Sequence, residues 1–557
     1  MTPLWKEEEQ SLEVGRKSVR LGRFSGVSQS MQLIRTFMTV GGYTFLYRVS
    51  GIVRDTIQAA VLGAGPVADA FVVAFKLANV LRKLFAEGSF NAAFLPRFSA
   101  VLSKQGHVAA ERIASQVLTW LSFVLVLLLI ICIVFFPAII RGYAPGFIPG
   151  SERFIYAVEL GRICFPYIAT SFIVALFSSV LNTVNRFATP AGAQLILNIF
   201  LVIAMLLGAC GFPTIAHTMA VATFIAGIAQ MVLLWSTTRY NGFKIGFTSD
   251  LKSQETKEIF RKIIPGAVGA GIWQLNLMIG VITASSLQSG AVSCFYYADH
   301  VNQFPLGILG IGLSTALLPP LSRAIQKNDF KNACGQFNLG VIFALVLTVP
   351  ATALFLAIPT PIVSIFYEHG KFGHAEVCAT APTLAAFAVG LPAYMLAKVF
   401  STALFAQGNT RHPCFAGLLS VVACVVTIPL FIPTMRQAGI ALAISFSAWV
   451  NVFALYMFLL RHKTLFVFTD TWKACFTLAF SGIAMGLSIY GAHYALRNFY
   501  PESAWLRVAY SIGLGGGGSF IFWISGRLLG GFSLMHTLMA DGKEPIPREK
   551  LKHSLKG

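Results

Sequence analysis

Residues 117–139 read VLTWLSFVLVLLLIICIVFFPAI, from Val117 to Ile139, and hold no charged side chain. A helix rises about 1.5 Å per residue, so this run exceeds the ~20 residues needed to cross the hydrocarbon core of a bilayer. Inside lipid the backbone must satisfy its own hydrogen bonds, which makes such a run a helix. The signal recurs at Leu195–Cys210, Ile215–Trp235, Leu339–Ile358, Phe415–Phe431, Ile440–Leu460, Ala474–Tyr490 and Val508–Ile524. Phe37–Leu62, Ala68–Leu95, Ile163–Leu181, Ile264–Leu287, Val301–Leu318 and Leu384–Ala406 repeat it less cleanly, several with polar or charged interruptions. The expectation is an all-α polytopic membrane protein of about fourteen transmembrane helices.

Composition agrees. The chain is 56% hydrophobic and 11% charged, against roughly 25% charged in soluble domains. Its net charge of +20 sits mostly between apolar runs, which is a topology signal and not a nucleic-acid footprint. Arg97, Lys104 and Arg112 follow the second predicted span. Arg239, Lys244, Lys252, Lys257, Arg261 and Lys262 follow the sixth, and Arg323, Lys327 and Lys331 the eighth. Arg461 and Lys463 follow the twelfth, and the tail carries Lys543, Arg548, Lys550, Lys552 and Lys556. The alternate turns, 63–66 and 211–214, carry no charge. This alternation predicts that both termini are cytoplasmic. Residues 1–30 are mostly polar and read as a cytoplasmic arm, not a cleavable signal. The nine cysteines stand singly, without metal-ligand spacing, and read as packing residues.

The chain carries a trace of duplication. Phe177-Ser178-Ser179-Val180-Leu181 precedes Pro190, and Phe400-Ser401-Thr402-Ala403-Leu404 precedes Pro413, at an offset of 223 residues. The predicted organisation is a six-helix lobe over 31–240, a second over 241–465, two extra helices over 466–530 and a basic tail over 531–557. Two repeated halves around a midplane site are a transporter design.

Charges inside spans are the informative exceptions. An arginine at a helix centre costs roughly 3 kcal/mol on insertion scales, so it persists where it meets water or a counter-charge. The first span holds Arg48, Arg54 and Asp55; the second holds Asp69, Lys76, Arg82, Lys83 and Glu87. The rise per residue puts Arg48 near mid-membrane, Asp69 level with Arg54, and Glu87 near the inner surface. Asp69, Lys76 and Lys83 repeat every seven residues and form a stripe. Asp299 and His300 open the eighth span, and the seventh adds Gln274 and Asn276. Together these describe a hydrated cationic chamber for an anion, and guanidinium suits phosphate because its planar donors grip two oxygens at once. The alternative is structural ion pairing, Arg54 with Asp69 and Lys83 with Glu87. Glu368, His369 and His374 fit no zinc spacing and read as a solvated loop. Gly515–Gly518 reads as close helix packing or a bend.

Arg48-Val49-Ser50-Gly51-Ile52-Val53-Arg54-Asp55, Gly63-Ala64-Gly65, Ala68-Asp69-Ala70-Phe71, Phe75-Lys76-Leu77, Leu81-Arg82-Lys83 and Phe85-Ala86-Glu87-Gly88 resemble the start of the MurJ (MviN) lipid II flippases. Tyr296-Tyr297-Ala298-Asp299, Phe304-Pro305, Leu317-Leu318-Pro319 and Gly370-Lys371-Phe372 resemble later parts of that family, within the multidrug/oligosaccharidyl-lipid/polysaccharide exporter superfamily. The resemblance implies fourteen helices in two lobes, a lipid-facing groove on the last two, and alternating-access export of the undecaprenyl-pyrophosphate-linked peptidoglycan precursor. It matches Arg48, Arg54 and Arg82 to essential cavity arginines and Asp69 and Glu87 to nearby acids. His300 stands where members often carry arginine, which either weakens that phosphate contact or makes it pH-sensitive. The seventh and eleventh spans lack carboxylates, which argues against a sodium site there and leaves Asp55, Asp69, Glu87 and Asp299 as the acids for proton coupling, with membrane potential acting on the cationic site as the alternative.

The expected substrate-binding residues are therefore Arg48, Arg54, Arg82 and His300, with Lys83, Glu87 and Gly88 gating or structural. No bond is made or broken, so no catalytic residue, cofactor or metal is expected. Lipid II, membrane lipids and cell-wall synthesis proteins are the expected partners, in a bacterial cytoplasmic membrane. The rivals are an exporter of another polyprenyl-linked oligosaccharide or a drug, and a membrane enzyme acting on polyprenyl phosphates. A drug exporter would hold acids for cationic cargo, and the enzyme would show carboxylate clusters at one surface.

Overall fold

The computed structural model describes residues 41–531 apart from 209–210, 251–253, 463–464, 466, 500 and 502, and only the backbone at a few helical stretches that include 87–89, 262–273 and 308–316. The arm over 1–30, the start of the first span at Phe37, Lys252, Lys463, all of the tail beyond 531 and the Glu87 side chain lie outside the described residues.

The first lobe opens with α1 (residues 41–62) and α2 (Pro66–Leu81), which runs through π turns at Arg82–Phe90 into α3 (Asn91–Gln105). It continues through α4 (His107–Val134), the short α5 (Phe136–Tyr143), and α6 (Glu152–Cys164) and α7 (Tyr167–Thr183), parted at Phe165 and Pro166. The last helices of this lobe are α8 (Ala188–Leu207) and α9 (Ile215–Tyr240). The second lobe comprises α10 (Gln254–Ser285), α11 (Ala291–Gln326), α12 (Phe330–Ala357), α13 (Pro359–Tyr367), α14 (His374–Ala388), α15 (Leu391–Ala406) and α16 (Arg411–His462). The last two helices, α17 (Thr469–Ala495) and α18 (Ala504–Leu528), pack on each other and α17 on α12.

The duplication is written into the helix boundaries. α4 and α12 begin and end 223 residues apart, at 107 and 330 and at 134 and 357. The same offset relates the starts of α5 and α13, the ends of α7 and α15, and the starts of α8 and α16. Among the described residues nine helices are long and apolar enough to cross a membrane, one of them over Arg411–Arg461. That one breaks at Arg436, where φ is 48°, and its two parts are the predicted Phe415–Phe431 and Ile440–Leu460. The other predicted spans correspond to α1, α2–α3, α10 and α11. Leu127, Ile130, Val426, Phe476 and Phe480 are exposed on the outside of the bundle, a surface suited to lipid and not to water.

Hydrophobicity misplaced several ends. α3 continues to Gly106 (φ 84°), so Arg97 and Lys104 lie on α3 and Arg112 on α4, not in a loop. A helix needs apolar residues only where it meets lipid, and runs on into water without them. α11 starts at Ala291, not Val301, which sets Asp299 and His300 more than two turns inside the helix. Their side chains are paired across the lobes, and pairing permits charge where apolarity alone reads an end.

At the end that the charge pattern assigns to the outside, two glycine turns dock. Lys371 N donates to Ala60 O at 2.8 Å. Gly63 (φ 68°) and Gly370 (φ 58°) adopt the left-handed backbone, and a Cβ on Gly370 would collide with the Ala60 carbonyl.

Candidate functional site

Between the lobes lies a cavity of about 280 Å³ lined from α1, α2 and its π stretch, α8, α10 and α11. Its lining holds five basic side chains, Arg48, Arg54, Lys76, Arg82 and Lys83, against two acids, Asp55 and Asp299, with His300 and Gln274 among the rest. The π turns place Arg82 and Lys83 on its wall; widened turns of this kind recur at functional sites.

The acids are already engaged. Asp55 Oδ1 accepts from Arg54 Nε at 3.0 Å and from Nη2 at 2.6 Å, and Oδ2 lies 2.6 Å from His300 Nδ1. Arg54 also donates to Asn198 Oδ1 at 3.0 Å and to the Tyr296 hydroxyl at 3.3 Å. Asp299 accepts from Lys76 Nζ at 3.1 Å and from Gln303 Nε2 at 2.8 Å. Arg54 is thus held by its own neighbour and two other helices, and the expected pairing with Asp69 does not form.

Arg48 differs. Its Nε is buried without a hydrogen-bond partner, and its guanidinium lies where a Cβ on Gly307 would sit. A buried donor left unsatisfied costs about 1–3 kcal/mol, and an arriving anion removes that cost. Arg82 donates from Nε to Asn79 Oδ1 at 3.3 Å.

Asp69 is fully buried and does not line the cavity. It accepts from Gly290 N at 2.7 Å, Ser293 N at 2.9 Å and Ser293 Oγ at 2.6 Å, which caps the start of α11. An acid there also complements the helix dipole. The stripe on α2 therefore faces the second lobe, Asp69 onto the α11 terminus and Lys76 onto Asp299. Gly88 lies in the π stretch. Asn276 donates to Ser420 Oγ at 3.1 Å instead of facing the cavity.

Glu368 is not a solvated loop residue. It accepts from Arg507 Nη1 at 2.6 Å, lies 3.1 Å from His374 Nδ1 and takes a short hydrogen bond from Ser364, tying the α13–α14 turn to α18. Among the described residues no cluster suited to a metal ion occurs. Gly518 packs where a Cβ would strike Ile489, which brings α18 close to α17.

Three contributors were missed from sequence. Gln194 and Asn198 of α8 line the cavity, and Asn198 also donates to Ser50 Oγ at 2.8 Å. Gln303 of α11 lines it as well and donates to Asp299. An amide inside the run Leu195–Cys210 and another inside Val301–Leu318 were the available signals.

Two repeat-related helical lobes closing on a cationic cavity define a polytopic membrane transporter. The family described as "Lipid II flippase MurJ" matches residues 58–510. The chain belongs to this family. It is 38% identical over 432 residues to the probable lipid II flippase MurJ of Rhizobium meliloti (strain 1021), covering 76% of this chain and 80% of that one. It is 32% identical over 482 residues to that of Rickettsia prowazekii (strain Madrid E), covering 86% and 94%. A solved structure, "Lipid II flippase MurJ, inward closed conformation", matches with a TM-score of 0.73 at 25% identity over 87% of this chain and 97% of that one. An inward-facing multidrug resistance MATE family transporter of the MOP superfamily matches in fold, with a TM-score of 0.64 at 14% identity over 75% and 94%.

Proposed function

We propose that this chain carries lipid II from the inner to the outer leaflet of a bacterial cytoplasmic membrane by alternating access, with fourteen passes and both termini inside. The observation that carries the reading is the lining of five basic against two acidic residues between the lobes, with Arg48 Nε lacking a partner. The pyrophosphate binds Arg48, Arg82 and Lys83. Arg54 and His300, braced on Asp55, shape the wall beside it. Asp55 and Asp299 are the coupling candidates that line the cavity; Asp69 serves closure of the lobes. The polyprenyl tail follows α17, where an apolar groove of about 720 Å³ runs among Leu345, Val349, Trp449, Ile483 and Leu487. Among the described residues that line this groove, those of the last two helices belong to α17.

The test is depletion in the native cell with a leaflet assay for lipid II. Build-up on the inner leaflet, reversed by the parent and not by equally expressed Arg48→Ala, is the expected result. Build-up on the outer leaflet, or full rescue by the variant, overturns it.

A further inference from the structure

A second cavity, of about 340 Å³, lies inside the first lobe among the π stretch, α7, α8 and α9. It shares Arg82, Gln194 and Leu197 with the cationic cavity, so the two adjoin. Among the described residues Arg82 is its one charged lining side chain. The remaining polar lining is neutral, from Asn91, Tyr167, Ser171, Ser178, Gln194 and Gln230. Ser171 Oγ donates to Tyr167 O at 2.7 Å and Gln230 Nε2 to Ala193 O at 3.0 Å, which fixes both groups on the chamber wall. Hydroxyls and amides both donate and accept, so this wall offers hydrogen-bonding atoms of both kinds to a polar, uncharged occupant.

Small residues on α7 and α8, Ser171, Ala175, Ser178 and Ala193, leave the room. At the same 223-residue offset the second lobe has the larger Tyr394 where the first has Ser171.

We infer that this chamber is a saccharide subsite, receiving the uncharged hydroxyl- and amide-bearing sugar joined to the diphosphate. The inference rests on the proposed function. The sugar is bonded directly to the diphosphate, so its site must adjoin the cationic one, and Arg82 stands at the junction. The volume falls within the range of about 300–1,000 Å³ of small-molecule sites. An ammonium group would face Arg82 and, among the described lining residues, no counter-charge, which selects against cationic cargo here.

The experiment measures binding of two lipids to the purified full chain in nanodiscs: undecaprenyl diphosphate, and the same lipid bearing the disaccharide. Ser178→Leu, which fills the chamber, weakens the disaccharide lipid at least ten-fold and leaves the sugar-free lipid unchanged, whereas Arg48→Ala weakens both. Ser178→Leu weakening neither, or both alike, overturns the subsite while the transport reading stands. A parent that binds neither lipid overturns both. Should Ser178→Leu not fold, Ser178→Cys decides: a water-soluble maleimide labels it above the parent's background, and the disaccharide lipid alone protects it. Protection by both lipids or by neither overturns the inference.

Discussion

Arg48 and Gly307 form a pair in which the absence of one side chain makes room for the other. A Cβ at 307 would overlap the guanidinium of Arg48, the mobile end of a long side chain. Gly307→Ala is therefore expected to leave the thermal unfolding midpoint within experimental scatter while transport of a fluorescent lipid II analogue in liposomes falls at least ten-fold. A lowered midpoint with unimpaired transport by the folded fraction would contradict this. Asp69 predicts the opposite pattern. Asn in its place keeps one acceptor but turns an amide toward the donors Gly290 N, Ser293 N and Ser293 Oγ. Unsatisfied buried donors cost about 1–3 kcal/mol, so Asp69→Asn lowers the unfolding midpoint clearly, and more than Ser293→Ala, which removes one bond worth about 1 kcal/mol. The cavity cations were legible in sequence because each is expensive in lipid. The partners of Asp69 were not, because they lie 221 and 224 residues away, and only the docking of α2 on α11 brings them together. Asn198 escaped notice because a cost argument built on charge passes over a neutral amide, although Asn198 fastens Arg54.

Helices as elements were legible from apolar runs; their ends and their attachments were not, since both depend on contacts between distant turns. The α13–α14 turn illustrates the second kind. It binds α18 through Glu368, which Arg507, Ser364 and His374 surround. Burial by itself raises the Glu368 carboxyl, but the Ser364 and His374 hydrogen bonds and the Arg507 charge outweigh it and hold it below the usual carboxylate range. A folded value below the unfolded one means the stabilisation is complete above about pH 4.3, the ordinary glutamate value, and fades as pH falls through the folded value. The difference in unfolding midpoint between the parent and Glu368→Gln should thus shrink as pH falls below about 4. A difference that does not shrink below about pH 4 would show that the carboxylate is not what holds α18. The cluster had been read as solvated because Glu368, His369 and His374 were judged on local spacing, and Arg507 lies 139 residues beyond Glu368.

The two lobes are copies, and one consequence concerns the place where copies meet. Lys76 and Asp299 are separated by 223 residues, the same offset that relates α4 to α12. They are therefore equivalent positions on the two lobes, and a side chain that meets its own equivalent must lie at the pseudo-two-fold axis. An identical pair there would set like charges 3.1 Å apart; the chain resolves the conflict by placing opposite charges on the two copies. Both are nearly buried, and removing one partner of a buried pair costs about 3–5 kcal/mol because the other charge is stranded. Lys76→Asp and Asp299→Lys should each impair stability and transport, the first by facing two carboxylates and the second by facing two ammonium groups. The double exchange restores opposite charges with the same summed side-chain length, because the axis makes the positions interchangeable. Recovery will be incomplete, since Gln303, which donates to Asp299 at 2.8 Å, has no counterpart at Val80. A double-mutant cycle on the unfolding midpoint and on transport reads the coupling, expected to favour the exchanged pair by more than 1 kcal/mol over the sum of the single effects. A double variant no better than its worse parent would mean that the surroundings of the two sites, not the axis between them, decide which lobe carries the lysine.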